Sequence, residues 1–538
     1  MKSLFYNGTI LTMNDNTPIV NAMIIENNTI LEVGDQNEIT AHHQDVNTYI
    51  DLKGQTLLPG FNDSHMHLLG FGESLRLCRL EGTESIDALK IKLSDFADNN
   101  KDYWIRGRGW NQDSFKVKKL PTASDLDSVV PDKPVVLNRA CGHILVCNSK
   151  ALEIAGIHKN TPQPDGGHFD IDPTGHPTGI LRENAMTLVQ NHFPDPSVQS
   201  LKNAILAGSE YALSHGITSV QSDDLCVYPE HLSGRILDTF KEMDSNNELL
   251  IRVYEQALFR TPENLNAFIK NGFKTGRGSN FYKEGPLKIL ADGSLGARTA
   301  LLSKGYEDEP DTLGISMYDQ ITLDTMVDTA QKNGLSTAIH AIGDGTIDMA
   351  LEAMEKAQVN TPNTALRNSI VHCQITRFEH FDRMHRLNIL AHIQPIFIDY
   401  DMQIVETRIG SERMKNTYAW KTMLKEGVRL AFGSDCPVEP LDIMPNIYSA
   451  VTRKNLRGFP KEGWIPEEKL DVLTVLKGFT IWPAYASCEE KIKGSIEPGK
   501  LADFVILDKN PLEIEPDDIL YLNVMETWVD GIKVYEKK

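Results

Sequence analysis

The sequence predicts an α/β chain, a (β/α)₈ TIM-like barrel carrying a small β-sandwich domain built from both chain ends and an inserted subdomain over the barrel mouth. Three observations lead there. Eight apolar strand candidates (57–62, 217–222, 249–257, 287–291, 335–340, 369–373, 389–394 and 429–433) each precede a stretch of helical period. Short β-rich runs separated by tight-turn residues occupy the N-terminal 56 residues, and the pattern returns at the C-terminus. Roughly 150 residues separate the first two barrel strands, far beyond an ordinary βα connection, so they must form a subdomain of their own.

Taken in order, the first segment alternates Ile10–Met13, Ala22–Ile25 and Thr29–Val33 with Asn-Gly, Asn-Asn and Gly-Asp turns, a β-meander pattern. At the other end, 499–508 and 524–535 read as strands, the second folded at Asp530-Gly531. Neither end has enough strands for an independent sheet, so residues 1–56 and 485–538 are expected to share one sandwich with a structural role. Residues 57–484 are the barrel, with 68–216 as the insert. Within the insert, 167–182 reads as a hairpin around Pro173-Thr174-Gly175, and 104–110 as a strand and loop with aromatic anchors. Long inserts over an active face set specificity, which makes Trp104, Trp110 and His143 candidate wall residues. His143 could equally cap a helix, and His168 and His176, beside a turn, read as packing.

The 538-residue length, 41% hydrophobic content and 24% charge suit a large domain with at least one smaller one. A net charge of -20, from 74 acidic against 54 basic residues, disfavours nucleic acid or an anionic membrane surface as a partner. Cysteines 78, 141, 147, 226, 373, 436 and 488 show no CxxC pairing, which argues against a disulfide framework or a zinc knuckle and for a reducing compartment. The N-terminus lacks a signal-peptide layout and no apolar run approaches the ~20 residues that span a bilayer, so the expected location is cytoplasmic.

Chemistry concentrates at strand ends. His65 and His67 close an apolar run, and residues two apart on a strand share a face, so both imidazoles can reach one ion. A lone pair of histidines would mean little. His340, His372 and Asp435, however, each stand where a later apolar run stops. In a barrel, C-terminal strand ends converge on one site. An open doubly wound sheet would not bring first, middle and last strands together. Imidazoles with a carboxylate suit zinc or a similar divalent metal, and Asp435 can act as acid and base. Without the histidines, Asp435 in Gly-Ser-Asp would read as a helix cap. Asp63 shares the face of the histidines and is either an orienting partner or a turn residue. Asp292 and Arg298 are candidate substrate contacts, with loop architecture as the alternative reading for them and for Asp344. Cys373 and Cys436 follow ligands and should face the other way. Taken alone, Lys288 would point out of the barrel or pair with an acid, because a buried unpaired ammonium is costly.

Six ordered motifs resemble the amidohydrolase superfamily, and within it the YtcJ-like branch that includes N-substituted formamide deformylases: 7–13, 58–67 (LPGFNDSHMH), 288–299 (KILADGSLGART), 339–344 (IHAIGD), 432–438 (FGSDCPV) and 499–503 (GKLAD). Asn62 departs from the apolar residue usual at that position, without touching a ligand. The resemblance implies that Lys288 is carboxylated and bridges two metal ions, joining His65, His67, His340, His372 and Asp435. It further implies hydrolysis of a non-peptide carbon-nitrogen bond in a small amide, formamide or related N-acyl substrate, and a homodimer as the assembly found among relatives. Three alternatives remain at this point. One is deamination on a similar barrel, with one metal and no bridging lysine; another is ester or lactone hydrolysis. The third, a non-catalytic metal scaffold, would be expected to lack a ligand slot, whereas all are filled.

Overall fold

The computed structural model describes residues 1–538 except Cys141, Gly142, Asp165 and Thr364, so part of the motif preceding His143 lies outside the described residues. Two compact units divide the chain: residues 1–72 with 201–538, and Glu73–Ser200.

The first unit holds an eight-stranded parallel sheet. Its strands in chain order are β1 (Phe61–Met66), β2 (Ile217–Ser222), β3 (Arg252–Leu258), β4 (Tyr282–Leu290), β5 (Thr337–Ala341), β6 (Ser369–His372), β7 (Leu390–Ile393) and β8 (Arg429–Phe432), each paired with its sequence neighbour. Beyond the ends of β8 and β1 the sheet is drawn together by Asp435 N–H donating to the His65 carbonyl and His67 N–H to that of Cys436, both at 2.8 Å. A side chain at Gly433 would put its Cβ 2.6 Å from Asp63 Oδ1 and from the His65 amide, so this approach requires glycine. The result is a nearly closed barrel whose C-terminal rim carries the polar residues. Helices pack by the expected stripe. Gln320–Lys332 is capped by Asp319, which accepts from Thr322 N–H at 2.7 Å, and buries Leu323, Met326, Val327 and Ala330.

One strand departs from expectation. The run 57–62 breaks at Gly60, where a Cβ would collide with Thr218 at 2.2 Å. Thr56–Pro59 pairs with Phe504–Leu507 and Thr9–Leu11 in a different sheet, and the barrel strand starts at Phe61. An apolar run reports burial, not which sheet buries it.

Two further sheets come from the chain ends: one of four strands lies within residues 2–51, and one of six joins N-terminal strands to the last three strands of the chain. Phe5, Met23, Ile30, Phe504, Ile506 and Trp528 share one core between them. The Asp530-Gly531 turn has φ of 55° and 74°, as a two-residue hairpin demands. Arg252 of β3, 1% exposed, ties the barrel to this region through two bonds to Asp503, at 2.6 and 2.8 Å, and one to Asp530 at 3.1 Å. That gives the GKLAD motif a physical role.

The second unit is a mixed six-stranded sheet ordered Gly167–Ile171, Pro177–Glu183, Ile144–Cys147, Val135–Arg139, Ile105–Trp110 and Cys78–Arg79. Its first two strands form the hairpin expected around Pro173-Thr174-Gly175. Among the described residues, no helix of the chain is long and apolar enough to cross a membrane.

Candidate metal centre

His65 lies within β1 and His67 one residue beyond it. Their ring centroids lie 5.3 Å apart, across a shift in the β1–β2 register between Asp63 and Met66. His372 ends β6 at φ 74° and Asp435 follows β8 at φ 59°; both occupy the left-handed region that non-glycine residues seldom adopt, a strain found where geometry serves a site. One ligand atom from each of His65, His372 and Asp435 lies within 4.8 Å of the others. His340, in β5, packs edge-on against His372 at 4.4 Å between centroids. Lys288 of β4 points inward, 3% exposed, with Nζ 3.1 Å from His65 Nε2 and 3.5 Å from Asp223 Oδ2. The strand-end residues singled out in the sequence thus meet at one rim of the barrel.

The hydrogen bonds around the rings fix their tautomers. His65 Nδ1 faces Gln256 Oε1 at 2.8 Å, and Gln256 Nε2 donates to the Ser64 carbonyl, so the amide oxygen is the end turned to the ring. His372 Nδ1 meets Gln394 Oε1 at 2.8 Å, and Gln394 Nε2 donates to the His392 carbonyl. His67 Nδ1 donates to the Asp223 carbonyl at 2.7 Å, and His340 Nε2 to the Gly293 carbonyl at 3.1 Å. Every ring spends its one N–H on an oxygen acceptor, leaving the other nitrogen as a bare lone pair, the arrangement metal-ligating histidines need.

His65 Nε2 and His67 Nε2 stand 3.3 and 3.1 Å from the same Asp435 Oδ1, so three acceptor atoms converge, and Lys288 Nζ donates to His65 Nε2 at 3.1 Å. A divalent cation would suit such a cluster. In the metal-free protein a proton must serve: burial opposes charge on the His67 ring, yet its hydrogen bonds to Asp435 and Cys226 raise it well above 6.5. Burial likewise opposes charge on Asp435, but the bonds to His65 and His67 hold its carboxyl well below the usual range. Burial and the Lys288 charge push His65 down to about 4, and burial with neighbouring His340 lowers His372 well below 6.5. Neutral imidazoles around a carboxylate are the donor set of a divalent metal, so the residues fit such an ion.

Other candidates lie elsewhere. Trp110 is not a wall residue. It is fully buried in the hydrophobic core of the Glu73–Ser200 unit, and its indole N–H donates to Leu137 O at 2.8 Å. Trp104 is buried in that unit against Phe193. His143 is exposed and pairs with Glu183 at 3.0 Å. Asp292 is fully buried and accepts from Leu301 N–H, Ile342 N–H, Gly343 N–H and the Thr346 hydroxyl, so it fastens loops at the β4 and β5 ends, and its Oδ1 lies 3.3 Å from His340 Nε2. Arg298 forks onto Asp308 at 2.8 and 3.2 Å. Asp63 does not touch a ring; it accepts from His65 N–H and from Ser434 N–H and Oγ, joining the first strand to the last, while burial pushes its carboxyl up to about 7.

Sequence reasoning missed Asp223, Cys226, Gln256 and Gln394. Asp223 follows β2 as His67 and Asp435 follow their strands, so the strand-end rule could have found it. The two glutamines are polar residues in or beside apolar strands, a weaker signal.

Comparison with known proteins identifies the family. The amidohydrolase family profile matches residues 48–535. The chain is 34% identical over 547 residues to "Putative amidohydrolase YtcJ" of Bacillus subtilis (strain 168), covering all of both chains. It is 25% identical over 549 residues to N-substituted formamide deformylase of Arthrobacter pascens, covering 99% of this chain and 98% of that one. Among solved structures, an uncharacterized metal-dependent hydrolase from Pyrococcus furiosus superposes with a TM-score of 0.78 at 30% identity, over 95% of this chain and 100% of that one. With its strand-end histidines, inward lysine and aspartate on a nearly closed parallel barrel, the chain belongs to the amidohydrolase family, enzymes that hydrolyse carbon-nitrogen bonds other than peptide bonds.

Proposed function

We propose that this protein cleaves an N-acyl or N-formyl bond of a small molecule with water, giving a carboxylic acid and an amine. The observation that carries the reading is the convergence of His65 Nε2 and His67 Nε2 on Asp435 Oδ1, with both Nδ1 atoms committed to oxygen acceptors. His65, His67, His340, His372 and Asp435 would hold zinc or a similar divalent metal. When bound, such an ion brings the pKa of a water from 15.7 to about 7 and polarises a carbonyl oxygen.

The chain's own groups do the rest. Asp435 accepts the proton of the attacking water and returns it to the departing nitrogen, which an amide requires because an unprotonated amine anion is a poor leaving group. Gln256, Gln394 and the carbonyls of Asp223 and Gly293 hold the rings in register. Lys288 in this reading is carboxylated: its neutral amine adds to carbon dioxide, a C–N bond forms, one proton leaves, and the resulting carboxylate would join the histidines and Asp435 in holding the metal, as a ligand shared between two ions if two are bound. A free ammonium beside His65 and two divalent ions would be repelled, which supports the modification.

The preference for an N-formyl or N-acyl group draws on the likeness to N-substituted formamide deformylase. The paired end sheets serve as a structural sandwich, and the unit from Glu73 to Ser200 as the element that selects substrates. The free thiols among the described cysteines suit the cytoplasm. A panel of N-formyl amines, N-acyl amines, carbamates, lactones, phosphotriesters and aminopurines tests the reaction. Turnover of formyl or acyl amines with release of the amine is expected, whereas activity confined to phosphotriesters, or ammonia from purines alone, overturns it. Carbon-13 NMR with labelled bicarbonate tests Lys288, where a carbamate signal lost in Lys288→Ala is expected.

A further inference from the structure

The segment after β7 makes one turn of 3₁₀ helix, Pro395–Phe397, and meets the metal site twice. Gln394 holds the edge of the His372 ring at Nδ1, 2.8 Å away. Phe397 lies along its face: the two rings are parallel to within 13°, with centroids 5.9 Å apart, inside the roughly 4.5–7 Å range of aromatic pairs. The other rings in contact with the proposed ligands are imidazoles, so among the described residues Phe397 brings the one carbon ring to this polar rim. The turn does not depend on that ring. Ile396 N–H donates to Asn446 Oδ1 at 3.1 Å, Phe397 N–H donates to the Gln394 carbonyl at 3.2 Å, and Pro395, Ile396 and Ile398 are buried, whereas Phe397 itself is partly exposed. A backbone anchored on both sides thus holds an aromatic ring against a ligand histidine with part of its surface open.

We propose that Phe397 is a specificity-determining residue whose open surface receives an aromatic group of the substrate, carried next to the bond that is cleaved. The inference deepens the hydrolase reading and rests on it in that His372 is taken as a metal ligand, so that a substrate held over the ligand rings reaches Phe397 beside them. An aromatic pair contributes beyond the area it buries, because the ring quadrupoles favour offset and edge-on contacts. A saturated ring of similar size buries similar area without that contribution. Phe397 would therefore select a flat group over an equally apolar one, and it takes no part in the proton transfers assigned to Asp435.

Hydroxamic acids chelate a metal without being hydrolysed, so their binding reads this subsite apart from turnover. Isothermal titration of the zinc-loaded full chain compares phenylacetohydroxamic with cyclohexylacetohydroxamic acid for the acyl side, and N-benzyl- with N-(cyclohexylmethyl)-N-hydroxyformamide for the amine side. In the wild type the aromatic member of at least one pair should bind about 2- to 12-fold more tightly, the worth of one aromatic pair. Phe397→Leu should abolish that preference with zinc content unchanged by elemental analysis, and Phe397→Tyr should keep it. Tyr49→Leu, at an exposed position of the N-terminal sheet, should leave it intact. Should Phe397→Leu misfold, Phe397→Met replaces it as an adaptable side chain without a ring. Equal binding within both pairs, or a preference that survives in Phe397→Leu, would overturn the proposal and leave the hydrolase reading standing. So would a uniform loss of zinc and of all four probes in that variant, the result expected of a mere wedge behind His372. Aromatic preference without turnover of any amide would uphold the subsite and remove the reaction, and failure of every probe to bind would remove the subsite and the metal reading together.

Discussion

Gln256→Leu tests whether the ring-orienting amides matter to the metal site. Gln256 is fully buried on β3, accepts from His65 Nδ1 at 2.8 Å and donates to Ser64 O at 3.1 Å. Leucine fills similar space but orphans both groups. Each buried orphan costs about 1–3 kcal/mol, so the folded state should lose about 2–6 kcal/mol, read by denaturant unfolding. With its N–H unpaired, the His65 ring can rotate or change tautomer, and loss of such a partner weakens metal affinity by about 10- to 100-fold. That corresponds to about 1.4–2.7 kcal/mol. Competition against a chromophoric chelator measures it directly, on protein whose circular dichroism matches the wild type. Gln256→Glu keeps an acceptor for the same N–H and should retain more affinity than the leucine variant, which separates ring orientation from simple loss of packing. Wild-type affinity in a folded Gln256→Leu protein would refute the claim that this amide fixes the tautomer.

The remaining predictions concern catalysis, closure and stability. Asp435→Asn should lower turnover by about 10²- to 10⁴-fold, measured as kcat on any substrate found, and further if metal content also falls. Gly433→Ala should push β8 away from the His65 amide and Asp63, reducing metal content by elemental analysis, whereas unchanged content would show that the barrel end can yield. Asp503→Ala leaves the Arg252 guanidinium buried without its main partner and should cost about 3–5 kcal/mol in urea unfolding. Burial opposes the charge of Glu489, but Lys493 and Lys283 hold its carboxyl at about 2, against an ordinary 4.5. Its folded value is depressed, so its contribution is complete above pH 4.5 and is lost as pH falls toward 2; Glu489→Gln should flatten stability against pH across that window.

Much of the site was legible because its signals are local. Alternation along a strand turns His65 and His67 to one side, and the end of each apolar run marks where His340, His372 and Asp435 leave the sheet. The Asp530-Gly531 hairpin followed from two residues that tolerate positive φ. What stayed hidden depends on contacts between residues far apart in the chain. Thr56–Pro59 and Phe61–Met66 look like one strand, yet pairing with Phe504–Leu507 assigns the first half to another sheet. Trp110 read as a wall residue because an aromatic beside glycine has no sequence mark that separates a pocket from a core. Asp63 was expected either to orient a ring or to serve a turn, but the approach of β8 gave it Ser434 instead. Gln256 and Gln394 gained their roles only when neighbouring strands set their amides against histidines. Local periodicity determines which way a side chain points, and only closure of the barrel determines what it meets.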